Sequence, residues 1–322
     1  MRSVLIAGAF ASALAFVSSF TWASELKEVR VGFSSIVPET LIAKEKGFVE
    51  EQLRAKGVTV RWVESLGSNK TLEFLRGKSL DIGPTSVASA FLARANGTPI
   101  KYVYWTARQA TGAPIIVRGD SPYRSVTDLR GKKIAATPGT GPYISLIAAL
   151  RKYGLKADDV EIVGLQHPQG RAALISGSVE AWAGLEPDWS IAELKSHARV
   201  LFADPDLADG GGVDVRQEFL EQHPDVVKAV LQGFEQARLY ARDNTKEAIS
   251  LVAETSKVDD TIAANVLKRY DKSAPAIRES DFPALAKWGE LYKSLGSVPA
   301  STDVKAIVRD VLDPSLFAEA SN

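Results

Sequence analysis

The chain has 322 residues, 45% of them hydrophobic, and 39 Lys and Arg against 39 Asp and Glu, for a formal net charge of zero. That length allows one large domain or two of moderate size, and neutral charge without a basic, aromatic-rich cluster argues against a nucleic-acid binder. Cysteine is absent, which excludes thiol catalysis, disulfides and Cys-bearing zinc or iron–sulfur sites.

The N-terminus, "MRSVLIAGAFASALAFVSSFTWAS", has a basic start at Arg2 and an apolar or small run from Val4 to Val17. Thr21 and Ala23 are small residues three and one before a cut after Ala23. The pattern predicts a secretory signal peptide over residues 1–23. Its core is shorter than the ~20 apolar residues that a membrane span needs. A soluble, exported protein starting at Ser24 is expected.

Strand and helix signals then alternate. "EVRVGF" reads as a strand, and Pro38 opens a helix through about Leu53. "VTVRWVES" is a strand, "SNKTLEFLRGK" a helix and "LDIG" a short buried strand. "PTSVASAFLARANG" reads as a helix ended by Gly97, and "PIKYVYW" as a strand. This order implies a mainly parallel sheet with helices on both faces. A second unit of similar size begins near Gly112. Its strands are "APIIVRG", "GKKIAAT", "VEIVG", "VEAWAG" and "ARVLFA". Its helices are "PYISLIAALRKYG", "RAALISG" and "DWSIAELKSH". The run "DGGG" at 209–212 marks where the chain leaves this unit. From Gln217 onward the apolar spacing is helical, with Pro224 placed for a first helical position.

Three strand-to-helix junctions share one character. Ser34 and Ser35 lie in "GFSSIVPE", Thr85 and Ser86 in "DIGPTSVAS", and Thr140, Gly141 and Tyr143 in "TPGTGPY". Ligands of open α/β sheets bind outside the carboxyl ends of the strands, where such junctions gather. Helix N-termini bring unpaired N–H groups and partial positive charge, which suits an anion. The same Ser and Thr residues are also ordinary N-caps. Neither a phosphate-loop pattern nor a complete G-x-G-x-x-G is present.

Catalytic patterns are missing. Of the three histidines, His167 and His223 each precede a Pro and His197 ends a polar helix, so surface or capping roles are expected. There is no G-x-S-x-G elbow and no H-E-x-x-H cluster. No enzyme, cofactor or metal is expected.

The residues resemble the periplasmic substrate-binding proteins of ABC importers for sulfonates, taurine and nitrate. The resemblance spans nearly the whole mature chain. It rests on "VGFSSIVPETLIAKEKGFVEEQL", "VRWVESLGSNKTLEFLRGKSLDIGPTSVASAFLARANGTPIKYV", "SVTDLRGKKIA", "LIAALRKYGLKADDVEIVGLQ", "LISGSVEAWAGLEP" and "VRQEFLEQHPDVVKAV", in the family's order. It implies a type II-like periplasmic binding protein of two α/β lobes, each a mainly parallel sheet flanked by helices, with a two-strand hinge. Residues 24–112 and 210–322 would form one lobe and 113–209 the other. It also implies a monomer that closes on a small anion such as a sulfonate, taurine or a sulfate ester, and delivers it to a membrane permease and its ATPase.

Carried over by position, the family's ligand loops fall on Ser34 and Ser35, Thr85 and Ser86, Thr140 to Tyr143, and the loop around Glu186. Two loops depart from the pattern. Gly141-Pro142 stands where relatives often have hydroxyls, and Leu185 with Glu186-Pro187 where many have an aromatic. Glu186 holds a cation on the ligand, pairs with a protein Arg such as Arg171, or is simply exposed to solvent. Trp105 and Trp189 are aromatic-wall or packing residues, and Asp214 a further polar contact. Thiamine-precursor enzymes of this fold carry a Cys-rich motif that is absent here. Regulator effector domains of this fold follow a DNA-binding helix-turn-helix, whereas the upstream segment here reads as a signal peptide. Binders of thiamine precursors or other nitrogen heterocycles stay open as the alternative, and Glu186 with the aromatics fits them.

Overall fold

A computed structural model describes residues 26–107, 113–270 and 275–316, so the predicted signal peptide lies outside the described residues. The chain enters as β1 (Glu28–Phe33), whose alternation buries Val29 and Val31. Pro38 starts α1 (Pro38–Lys46), where its missing N–H has no helical partner to lose. Gly47, at φ +67°, ends α1 in the left-handed region, and α2 (Phe48–Leu53) follows, so the single helix expected here is broken in two. Next come β2 (Thr59–Glu64), α3 (Ser68–Arg76), β3 (Ile82–Ser86), α4 (Val87–Ala95) and β4 (Ile100–Ala107). Pro84, Thr85 and Ser86, read from sequence as a helix start, instead complete β3.

The second unit holds β5 (Ile115–Val117), β6 (Lys133–Ala136), α5 (Gly141–Lys152), β7 (Glu161–Gly164), α6 (His167–Ser176), β8 (Ala181–Ala183), α7 (Asp188–Ser196) and β9 (Arg199–Phe202). The chain then returns as β10 (Gly211–Arg216). After it come α8 (Gln217–Gln222), α9 (Pro224–Asp243), α10 (Thr245–Ser256), α11 (Asp260–Arg269), α12 (Phe282–Ser294) and α13 (Val304–Val311). Pro224 occupies the first turn of α9, as its position predicts.

Two five-stranded sheets result, ordered β2-β1-β3-β10-β4 and β7-β6-β8-β5-β9. In each, every strand but one points the same way. The exceptions are β10 and β5, antiparallel to both of their neighbours. The reason is geometric. The chain leaves β4 and β9 at their carboxyl ends and next enters the other sheet at that same end. The arriving strand must therefore run backwards. Strand β10 went unread in the sequence because "GGVDVR" has little apolar content. Pairing with β3 and β4, more than a hundred residues earlier in the chain, makes it a strand.

Both sheets are covered on both faces. On the first, Val29, Val31, Val213 and Val215 pack against α1, α2, α9, α10 and α11. Its other face packs Ile100 and Tyr102 against α4, α12 and α13. In the second sheet Ile115 and Val117 face α5 while Ile116 faces α6 and α7 beside Trp182, a clean two-residue alternation. No helix among the described residues is long and apolar enough to cross a membrane.

Candidate functional site

The carboxyl ends of both sheets border one cavity of about 130 Å³. The first sheet contributes Ser34 after β1, Ser65, Gly67 and Ser68 after β2, and Thr85 and Ser86 at the end of β3. From the second unit come Gly141 and Pro142 at the start of α5, and Leu185, Glu186 and Trp189 after β8. Thr106 at the end of β4, Asp209 on the returning segment, and Arg269 and Tyr270 at the end of α11 complete the polar lining. Ile36, Val37, Ala107, Pro114, Leu185 and Val266 leave the rest apolar.

Helices α1, α3 and α5 all begin here without a side-chain cap. Gly67, just before α3, has φ +138°, a conformation that side chains rarely adopt. Ser34 is held by its own turn: Thr40 Oγ1 accepts its N–H at 3.1 Å, and its Oγ accepts from Ile36 N–H at 3.3 Å. Its hydroxyl proton remains for the cavity.

The N-terminus of α4 differs from the other three. Its first N–H, on Val87, donates to Gly210 O at 2.9 Å, and Ala88 N–H to Asp209 Oδ1 at 2.8 Å. The second junction read from sequence as an anion site, at Thr85 and Ser86, is thus already met by the returning chain. Ser86 is committed as well. Ser89 Oγ donates to Gly139 O at 3.0 Å, so in the 2.7 Å Ser86–Ser89 contact Ser86 is the donor. Asp209 also abuts α5: a Cβ on Gly141 would lie 2.7 Å from Asp209 Oδ2, which explains the glycine. Burial pushes the Asp209 carboxyl up to about 6, and Oδ2 has no hydrogen-bond partner.

Glu186 is fully engaged. Ser190 donates to it through N–H and Oγ, both at 3.0 Å, and Arg269 Nη1 lies 2.5 Å from Oε1. Arg269 also reaches Glu193 at 2.6 Å and stacks over Trp189 at 3.8 Å from the ring centroid. One cation thereby joins α11, on the first sheet, to α7, on the second.

Residues 38–248 match the model of the NMT1/THI5 like family. The chain belongs to that family. A Bacillus subtilis (strain 168) protein named for binding aliphatic sulfonates is 30% identical over 300 residues, covering 92% of this chain and 90% of the relative. Two solved structures superpose closely. The alkanesulfonate-binding protein SsuA of Xanthomonas axonopodis pv. citri, bound to MOPS, has a TM-score of 0.83 at 24% identity, covering 90% of this chain and 99% of its own. The periplasmic aliphatic sulphonate binding protein SsuA of Escherichia coli has a TM-score of 0.77 at 26% identity, covering 91% and 94%. The two-lobe α/β fold expected from the sequence is therefore the fold of this NMT1/THI5 like chain.

Of the residues singled out from sequence, Ser34, Thr85, Ser86, Gly141, Glu186 and Trp189 line the cavity, and Ser35, Thr140, Tyr143, Trp105 and Asp214 do not. Ser35 is half-buried beside it. Thr140 turns back to donate to Thr137 O at 2.6 Å. Tyr143 packs on the core of the second sheet. Trp105 packs edge-on to Tyr102, and its Nε1–H donates to Asp281 at 3.1 Å. Asp214 is fully buried within the first sheet and touches Thr85, not the cavity.

Arg171 is not the partner of Glu186, because it pairs with Asp188 at 2.7 Å. His167 is neither exposed nor a cap. It is buried, and burial lowers it to about 4, so it is neutral. Among the described residues no cluster of His, Asp and Glu is arranged to hold a metal.

Sequence reading missed Ser65, Gly67, Ser68, Asp209 and Arg269. "ESLGSN" carried the same strand–loop–helix signal as the chosen junctions. Arg269 carried none, since only tertiary packing brings α11 to the cleft.

Proposed function

We propose that this chain is the solute-binding component of an ABC importer, capturing a small sulfonate-type oxyanion between its lobes. The observation that carries this reading is a cavity shared by the carboxyl ends of both sheets, where three uncapped helix N-termini converge over an apolar floor. N–H groups and the hydroxyls of Ser34 and Thr85 suit the charged head, and the Ile36, Val37 and Leu185 surface suits an organic tail. The sulfonate relatives support the same class.

Residues 24–112 with 210–322, and residues 113–209, act as the two closing bodies. They move about the paired crossings between the sheets. The protein works as a monomer in the periplasm after loss of residues 1–23, and it binds without chemistry. Closure would bury the ligand and complete the surface that the permease and its ATPase read. A cationic heterocycle held by Glu186 is the weaker reading, because both oxygens of that carboxylate are occupied by Ser190 and Arg269.

A thermal-shift series on the chain from Ser24 tests this, with alkyl and aryl sulfonates, taurine, sulfate esters, nitrate and thiamine precursors. At a hundredfold excess over Kd a ligand adds about 2.7 kcal/mol of stability, a shift of several degrees. A sulfonate or sulfate ester should raise the midpoint, and Ser34→Ala or Thr85→Val should reduce the rise. A rise with cationic heterocycles alone would overturn the reading.

A further inference from the structure

Thr85 and Asp214 sit on the adjacent strands β3 and β10, with Thr85 Oγ1 2.8 Å from Asp214 Oδ2. Only Thr85 reaches the cavity. Asp214 has no exposed surface, and its Oδ1 has no hydrogen-bond partner. A threonine hydroxyl carries one proton. Donated to an ionised Asp214, that proton leaves Thr85 facing the ligand as an acceptor, the wrong polarity for an oxyanion. Received from a protonated Asp214, a hydrogen bond leaves Thr85 free to donate outward.

We propose that Asp214 is a positioning residue for anion capture: its proton lies toward Thr85 Oγ1, and this turns the Thr85 hydroxyl into a donor for the bound oxyanion. The inference rests on the sulfonate reading above and adds to it a proton that the protein must hold in order to bind.

The surroundings favour the protonated acid. Along β10 the next residue on this face, Arg216, is bound to Asp81 at 2.5 Å. Opposite on β4 stands Tyr102, whose ring lies against Gly212. From α3, Lys70 pairs with Glu73 at the surface and Arg76 is exposed. From α4, Arg94 pairs with Asp310 of α13, and from α12, Lys287 donates to Asp206 O. None of these bonds to Asp214. A carboxylate stripped of water with no cation beside it holds its proton, and burial pushes this one up to about 8. A neutral acid also spares the anion a buried like charge close by.

Isothermal titration with ethanesulfonate, which stays ionised throughout, from pH 6.5 to 9.5 in buffers free of sulfonate groups, tests the inference. Wild type should weaken roughly tenfold between pH 7 and pH 9, as the proton leaves. In Asp214→Asn a permanent amide donor faces Thr85, so affinity should persist across the window without that step. Thr85→Val should bind weakly at every pH. It carries the test alone if Asp214→Asn fails to fold, its residual affinity having to be flat from pH 7 to 9. A flat wild-type profile, or the same step in Asp214→Asn, overturns the inference while leaving the sulfonate reading intact. If ethanesulfonate and the longer alkyl and aryl sulfonates all fail to bind at pH 7, both readings fall.

Discussion

Asp81 holds two arginines at once. It is 1% exposed, bonded by Arg30 Nε at 2.8 Å and Nη2 at 2.6 Å and by Arg216 Nη2 at 2.5 Å. Burial pulls its pKa up, but the hydrogen bonds from Arg30 and Arg216 outweigh that and hold it below the usual carboxylate range. Asp81→Asn leaves two cations facing a neutral amide, and the expected loss is roughly 3 to 5 kcal/mol in urea titration. The depressed value also fixes a sign. Asp81 stabilises the fold above its unfolded pKa of about 3.9, and that contribution disappears as pH falls through the lower folded value. Acid unfolding of Asp81→Asn should therefore be shallower than that of wild type. At this scale the sequence was a partial guide. It placed Glu186 beside the cleft and offered an arginine partner, yet Arg269, 83 residues away, takes that place and Arg171 does not. Side-chain pairing depends on which helices lie side by side, and no local pattern encodes that.

Among the elements, α9 has a defined fit against α2. A Cβ on Gly233 would lie 2.8 Å from Val49 Cα and 2.9 Å from Val49 N, both backbone atoms that cannot swing aside. Two effects compete in Gly233→Ala. Helix propensity favours alanine by about 1 kcal/mol, while overpacking costs about 1 to 3 kcal/mol. Overpacking should win. The urea midpoint is expected to fall with an unchanged slope, and a rise would show that α2 and α9 can move apart freely. Helix α13 was legible and went unread: Asp303 accepts the Ala306 N–H at 3.0 Å, and Val304, Val308 and Val311 are buried on one stripe. Strand β10 was not legible, because two glycines and an aspartate make a strand only when β3 and β4 flank them.

Across the whole molecule, Arg269 links the helices of one sheet to those of the other through two ion pairs, and Lys195 with Asp259 adds a third at 2.5 Å. Arg269→Ala removes two ion pairs and the stacking on Trp189, so the closed arrangement should be less populated. In small-angle scattering the unliganded variant should have a larger radius of gyration than wild type. The sulfonate affinity proposed above should be weaker in the variant by roughly tenfold, the equivalent of about 1.4 kcal/mol. An unchanged radius with unchanged affinity would show that this arginine does not help to hold the lobes together.

By itself the sequence determined the order of most strands and helices, β10 excepted, the alternation that lays two sheets between helices, and most of the junctions where ligands gather. These follow from periodicity and capping within a few residues, which any single stretch of chain records. Only the tertiary structure decided which junctions stay open, for Asp209 fills the start of α4 and leaves α1, α3 and α5 uncapped. It also decided that Asp214 answers to Thr85, 129 residues distant, and not to the cavity. Hydrogen-bond polarity and burial are properties of the assembled cleft, set by groups that meet only when both crossings have returned the chain to the same sheet ends.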